Sequence, residues 1–195
     1  MKKRLAALVA CAAPALAVAA PESYTLDPFH TYPYFTVEHW GLSMMQGRFD
    51  KTAGKFTMDR AAKTGSVELT IEAGSVSTGD NERAGRPRAR DEHLRAADFF
   101  NVAEFPRITF KSTRVNFGAE LPSAVEGNLT MLGVTRPVTL TFERFKCAQN
   151  PFNKKDRCGG NAVAKVKRSD FGMKTAIPAV GDELSLNVMF EGDKD

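Results

Sequence analysis

Several stretches of this chain alternate apolar residues with residues of a different character at a period of two. Val67, Leu69 and Ile71 alternate with Glu68, Thr70 and Glu72. Val138, Leu140 and Phe142 alternate with Thr139, Thr141 and Glu143, and Leu184, Leu186, Val188 and Phe190 with Ser185, Asn187, Met189 and Glu191. Ile108 and Phe110 flank Thr109, and Val115 and Phe117 continue that run. Successive side chains of an extended strand point to opposite faces, so each run predicts a strand with one buried and one wet face. Further strands are expected over Tyr32–Trp40, over Gly47–Phe49 and Gly54–Met58 around a turn at Asp50–Ala53, over Val125–Leu132 with Gly127 as a bulge, and over Ala162–Lys167. That makes about eight antiparallel strands, which can close into a barrel or stack as a sandwich. Fourteen phenylalanines suit either a filled core or the wall of an apolar cavity. Helical composition is confined to Asp91–Ala97, with a second turn over Ala96–Phe100.

The first residues read as an address. Met1–Arg4 is basic, Leu5–Leu16 is apolar apart from Pro14, and Ala17-Val18-Ala19 is an A-x-A cleavage site. The expectation is a signal peptide over 1–19, a single mature domain over 20–195, and a periplasmic location. Leu8-Val9-Ala10-Cys11 superficially fits a lipoprotein box but lies too close to Arg4. No other apolar run approaches the ~18 residues that span a bilayer. Loss of Lys2, Lys3 and Arg4 lowers the basic count from 27 to 24 against 23 acidic residues, which removes the case for nucleic-acid binding. Cys147 and Cys158 then remain, and in an oxidising compartment they are expected to pair across the loop Ala148–Arg157. Such a bridge contributes roughly 3 kcal/mol through loop entropy.

Chemistry-bearing residues concentrate in Arg90–Phe110, where a charged, histidine-containing segment runs into Phe99, Phe100 and Phe105, which are expected to face the apolar interior. His30, His39 and His93 sit on separate segments without H-x-H or H-x-x-x-H spacing, so ordinary hydrogen bonding is favoured over a metal site, with His93 as a candidate contact for a ligand head group. Arg83, Arg86, Arg88, Arg90 and Arg95 could meet a phosphate, or could form a solvated loop partly neutralised by Glu82, Asp91 and Glu92. For Arg90 and Asp91 an ion pair or loop-fixing hydrogen bonds are favoured. Met44 and Met45 could line an entrance. Nucleophile-elbow, P-loop, dinucleotide and zincin motifs are all missing from the sequence, and no enzymatic activity is expected.

Five motifs in order resemble the YceI family of lipocalin-like, polyisoprenoid-binding periplasmic proteins. They are Tyr24-Thr25-Leu26-Asp27 with His30; His39-Trp40-Gly41-Leu42-Ser43 with Gly47-Arg48-Phe49; Arg90-Asp91-Glu92-His93-Leu94 with Asp98-Phe99, Phe105-Pro106 and Phe110-Lys111-Ser112; Gly127–Thr130 with Leu132–Val138; and Arg168–Met173. Trp40 stands where leucine is commoner, and Arg83–Arg88 is an extra insert. The resemblance implies an all-β, eight-stranded antiparallel lipocalin-like barrel with a short helical segment over one end. It further implies an internal apolar cavity for an isoprenoid or similar amphiphilic lipid, such as a quinone or polyprenyl compound, and raises a homodimer as an assembly. Candidate cavity or mouth residues are Phe35, His39, Trp40, Met44, Phe49, Arg90, Asp91, His93, Phe99, Phe100, Phe110 and Phe171. No cofactor beyond the bound lipid is expected. The rival readings are an enzyme acting on a bound lipid and a filled-barrel, stress-related interaction module.

Overall fold

The computed structural model describes residues 20–195, so the expected signal peptide lies outside the described residues. Strands β1 (Glu22–Leu26), β2 (Tyr32–His39), β3 (Ser43–Phe49), β4 (Thr52–Asp59), β5 (Thr64–Glu72) and β6 (Val76–Ser77) precede the one α-helix of the described residues, α1 (Arg90–Arg95). After it come β7 (Arg107–Phe117), β8 (Pro122–Met131), β9 (Val134–Gln149), β10 (Asp156–Lys167) and β11 (Val180–Lys194).

The eleven segments form eight staves of a closed antiparallel barrel. The first three staves are broken. β11 pairs through Gly192–Lys194 with β1 and through Leu184–Met189 with β2, so β1 and β2 act as one interrupted stave. β4 and β3 follow them as the second, and β5 and β6 as the third, divided by a 3-10 turn at Ala73–Ser75. Closure through β1 and β11 removes most of the sheet edge, and what stays open is the side of β3 beyond the two-residue β6.

The alternation expected from the sequence is met. Leu69, Ile71, Phe110, Leu140, Leu184, Val188 and Phe190 are buried, while Glu68, Thr70, Glu72 and Lys111 face water. Inside, the apolar side chains form two clusters. At the end where Tyr24 pairs with Lys194, Phe190 meets Phe56, Phe142 and Phe145 with ring centroids 5.8–6.0 Å apart, and Tyr24 stacks on Phe56 at 4.7 Å. At the opposite end Phe49 lies between Phe35 and Phe100, at 5.9 and 5.3 Å. Offset and edge-on ring pairs of this kind add to the gain from burial alone. α1 and the turns after it cover this second end, where Leu94 and Phe99 pack against the cluster.

Three expectations need correction. Gly127 is not a bulge; the register shifts in β7, between Ser112 and Arg114. Gly127 instead lies beneath the Phe110 ring, where a side chain would collide. The stretch 148–157 is not simply a loop, because β9 continues to Gln149 and β10 begins at Asp156. Cys147 and Cys158 therefore face each other across a ladder with their Cα atoms 4.0 Å apart, and the bridge staples a hairpin. Phe105 does not enter the interior: it is half-buried over Gly133 in the β8–β9 turn.

Candidate functional site

The barrel interior holds two apolar chambers. The first, about 80 Å³, lies toward the α1 end and is walled by residues that include Phe35, Phe49, Ile71, Phe100, Ile108, Phe110, Leu184 and Leu186. The second, about 50 Å³, lies toward the end where Tyr24 pairs with Lys194, among Leu26, Phe56, Met58, Val125, Phe142, Phe145 and Phe190. Leu69, Leu140 and Val188 belong to both walls, so the two chambers adjoin along the barrel. Strand parity builds most of this lining, since the wall residues of each strand recur at inward positions two apart. Both volumes are small beside the roughly 300 Å³ or more of an ordinary ligand pocket, so the side chains fill most of the interior and a chain-like occupant has to push them apart.

Polar groups are nearly absent from the walls. Tyr34 and Thr57 are the one residue of each lining with a polar side chain, and both stand at outward positions of their strands. The Thr57 hydroxyl is engaged with Ser66 at 2.8 Å. The Tyr34 hydroxyl accepts a long hydrogen bond from Arg48 Nη1 at 3.5 Å, and the same guanidinium lies 4.7 Å from the Tyr32 ring centroid. Its Nε also donates to Asp50 at 2.7 Å. Tyr34 and Arg48 face each other on the outer side of β2 and β3, whereas Phe35 and Phe49 of the same strands point inward.

Of the residues singled out from the sequence, Phe35, Phe49, Phe100 and Phe110 line the first chamber. Phe171 is buried in the same apolar cluster but off the wall. Phe99 is half-buried and meets the His93 ring edge-on at 4.8 Å. His39, Trp40 and Met44 stand apart from both chambers at the β2–β3 turn, with Trp40 and Met44 exposed.

Arg90, Asp91 and His93 form the hydrogen-bonded frame of α1. Asp91 is buried and accepts from the Thr78 backbone at 2.8 Å and from its hydroxyl at 2.6 Å. Arg90 does not pair with Asp91; it reaches Asp80 at 3.2 Å and Thr78 Oγ1 at 3.3 Å. His93 Nε2 lies 2.6 Å from Asp98 Oδ2. Every neighbouring arginine is also engaged. Arg83 pairs with Glu92, Arg86 forks onto Asp80, Arg88 reaches Asp98, and Arg95 donates to the Gly74 and Val76 carbonyls. Hydrogen bonds from Arg86 and Arg83 hold the Asp80 and Glu92 carboxyls below their ordinary range. The arginine run fastens the 79–89 loop to the helix, with its guanidinium groups already occupied.

Arg168 has a role that sequence motifs did not announce. It is buried, and its guanidinium donates to the carbonyls of Gly181, Met173, Thr175 and Val180 without a carboxylate partner. Desolvation pushes its pKa down. Asp182 meanwhile accepts from Ser169 through backbone and hydroxyl at 2.9 and 2.7 Å, so the 168–182 loop is pinned over the chamber end. Leu69, Leu140 and Val188, shared by both chambers, were visible only as ordinary core positions, and Tyr34 carried the parity of a wet-face residue.

A depression of about 780 Å³ lies outside the barrel on β9–β11. It is open, and its lining mixes charged side chains with apolar residues that include Pro151 and the exposed Phe152. Arg157 crosses it to Asp27, Glu191 and Asp193 at 2.6–3.0 Å, and Asp193 is drawn down to about 2 by that hydrogen bonding. Among the described residues no group of three or more His, Cys, Asp or Glu side chains could hold a metal, and no helix is long and apolar enough to cross a membrane.

Comparison with known proteins places these features. A model of the YceI-like domain matches residues 24–192. Protein YceI of Salmonella arizonae is 38% identical over 178 residues, covering 90% of this chain and 88% of that protein. Among solved structures, the YCEI protein of Campylobacter jejuni superposes with a TM-score of 0.66 at 26% identity, over 81% of this chain and 90% of that one. A polyisoprenoid binding domain from Saccharophagus degradans, implicated in plant cell wall breakdown, shares the fold at a TM-score of 0.62 and 15% identity, over 88% of this chain and 98% of that one.

Proposed function

The chain belongs to the YceI-like family, and from that premise we propose that it binds an isoprenoid or similar amphiphilic lipid inside the barrel, for transport or storage in the periplasm. The observation that carries the reading is the pair of adjoining apolar chambers sharing Leu69, Leu140 and Val188. An isoprenoid tail is nearly insoluble, and burying it gains about 25 cal/mol per Å² of apolar surface removed from water. The apolar walls of the two chambers supply that surface once their side chains part around the tail. The polyisoprenoid-binding relative with the same fold agrees with this choice of ligand. Binding is favoured over catalysis because the chamber walls, apart from Tyr34 and Thr57, bear no group able to transfer a proton or attack a bond.

The test is native purification followed by organic extraction and mass spectrometry, with titration of the stripped protein by quinones and polyprenyl phosphates. Co-purification of a long-chain lipid, or saturable binding of either class, is the expected result. A protein that carries no lipid and binds neither class would refute the reading.

A further inference from the structure

The turn between β2 and β3 presents apolar side chains to water. Trp40, Leu42 and Met44 are 67%, 83% and 57% exposed. Trp40 and Gly41 both adopt positive φ, 59° and 66°, which holds the turn tight and projects the side chains from its tip. Trp40 is held there rather than loose: its backbone N donates to the Ala179 carbonyl at 2.7 Å, and its indole stacks on His39 at 5.6 Å. Ile177, on the adjoining loop, adds a further exposed apolar side chain.

This tip is the outer end of the strand pair that walls the first chamber. His39 pairs with Val180, and farther along the same two strands Phe35 pairs with Leu186 and Val37 with Leu184. Phe35, Leu184 and Leu186 line the chamber. The pairing is interrupted between Val180 and Leu184, directly below the tip. Around it stand exposed Arg136, Lys167 and Lys174, none within ion-pair distance of a carboxylate among the described residues. Arg136 donates instead to the carbonyls of Asp170 and Thr135. Glu38, Asp170 and Glu183 are exposed acids at this end, and Glu183 lies opposite Lys167 but pairs with Lys165.

An indole at an apolar tip flanked by cations matches the boundary between acyl chains and lipid phosphates. We propose that the β2–β3 tip inserts into the surface of a lipid bilayer and seats this end of the barrel against the membrane. The inference rests on the lipid-binding reading of the chambers for its purpose, since a membrane is where such a ligand dissolves, but the docking is measurable by itself.

Trp40 is the only tryptophan of the chain, so its fluorescence reports the tip directly. The mature protein is titrated with phosphatidylcholine vesicles, and with vesicles that also contain phosphatidylglycerol. Emission should move to shorter wavelength and become protected from an aqueous quencher on both, with tighter binding to the anionic vesicles. Leu42→Ser should weaken partitioning roughly tenfold, while its uptake of a short-chain quinone delivered from ethanol stays at the parent level. Unchanged emission with both vesicle types would overturn the proposal. So would a shift that appears with rising protein concentration alone, because the tip would then be covered by a second copy. Docking by a protein that takes up no quinone would support the tip and refute the chamber reading.

Discussion

The phenyl ring of Phe110 lies against the backbone of Gly127, so closely that a Cβ there would sit 2.8 Å from the ring's Cε2 and 2.7 Å from the Lys111 carbonyl oxygen. Phe35 covers Gly47 in the same way, with 2.8 Å from its Cε1 to the position of the missing Cβ. Both rings also wall the first chamber. Two glycines, one on β3 and one on β8, therefore set how far each ring withdraws from the chamber. Gly127→Ala should push Phe110 inward or strain β8, costing about 1–3 kcal/mol. Urea denaturation reads the loss, and lipid titration should show weaker binding than the stability change alone explains.

Phe100 and Phe99 are adjacent but have different surroundings. Phe100 is buried on the chamber wall, while Phe99 is half-buried against His93. Phe100→Ala should cost about 3–5 kcal/mol and reduce lipid affinity more than Phe99→Ala does. Arg86→Ala, which removes an exposed pair with Asp80, should change stability by less than about 1 kcal/mol and leave lipid binding unaltered. Thermal melts and titrations of the three variants establish the ranking.

Replacing Arg168 strands the carbonyls it now satisfies. Arg168→Met should destabilise by about 3–5 kcal/mol, the range for breaking a buried charged network. Arg168→Lys should recover little, because an ammonium lacks the planar fork that reaches Gly181, Met173, Thr175 and Val180 together. The loss should appear as early hydrogen exchange over 172–181, measured by mass spectrometry.

Acid should weaken the hairpin face in a defined window. Asp193 has its pKa lowered from 3.8 to about 2, chiefly by hydrogen bonding from Arg157. A depressed carboxylate adds stability that is fully present above its unfolded value and is lost as pH falls through the folded one. Asp195, drawn down to about 2 by the Ser23 and Thr25 hydroxyls, titrates in the same window. Stability should accordingly hold from neutrality to about pH 4 and decline between pH 4 and 2. Asp193→Asn should be weaker at pH 7 and show a shallower acid slope, checked by denaturation across that range.

The barrel was legible wherever alternation was local. The run Leu184–Phe190 announces a strand, and its parity alone marks Leu184, Leu186 and Val188 as the inward residues that wall the first chamber. The broken staves were not legible, because nothing near Leu26 or Phe49 tells that β1 and β2 share β11 as a distant partner; Thr31, at that break, bonds Glu191 across a separation of 160 residues. The arginine run showed its composition but not its partners: Asp80, Glu92 and Asp98 are close in sequence, yet only the folded loop decides which guanidinium each receives. Chamber residues such as Leu140 carry no mark that separates a lining position from a filled one. The hydrophobic pattern specifies facing inward and says nothing about the space left between opposing side chains.

Tyr24 lies opposite Lys194, and the Asp195 amide bonds the Ser23 carbonyl at 2.9 Å. The last stave of the barrel in chain order is thus the one that closes the ring with the first. A chain emerging stepwise cannot complete this barrel until β11 is free, and until then its inward faces are exposed to solvent. Such long-range closure makes folding slow and the unfinished barrel vulnerable to aggregation, so the time between release of β11 and closure is when a chaperone would be of most use to this protein.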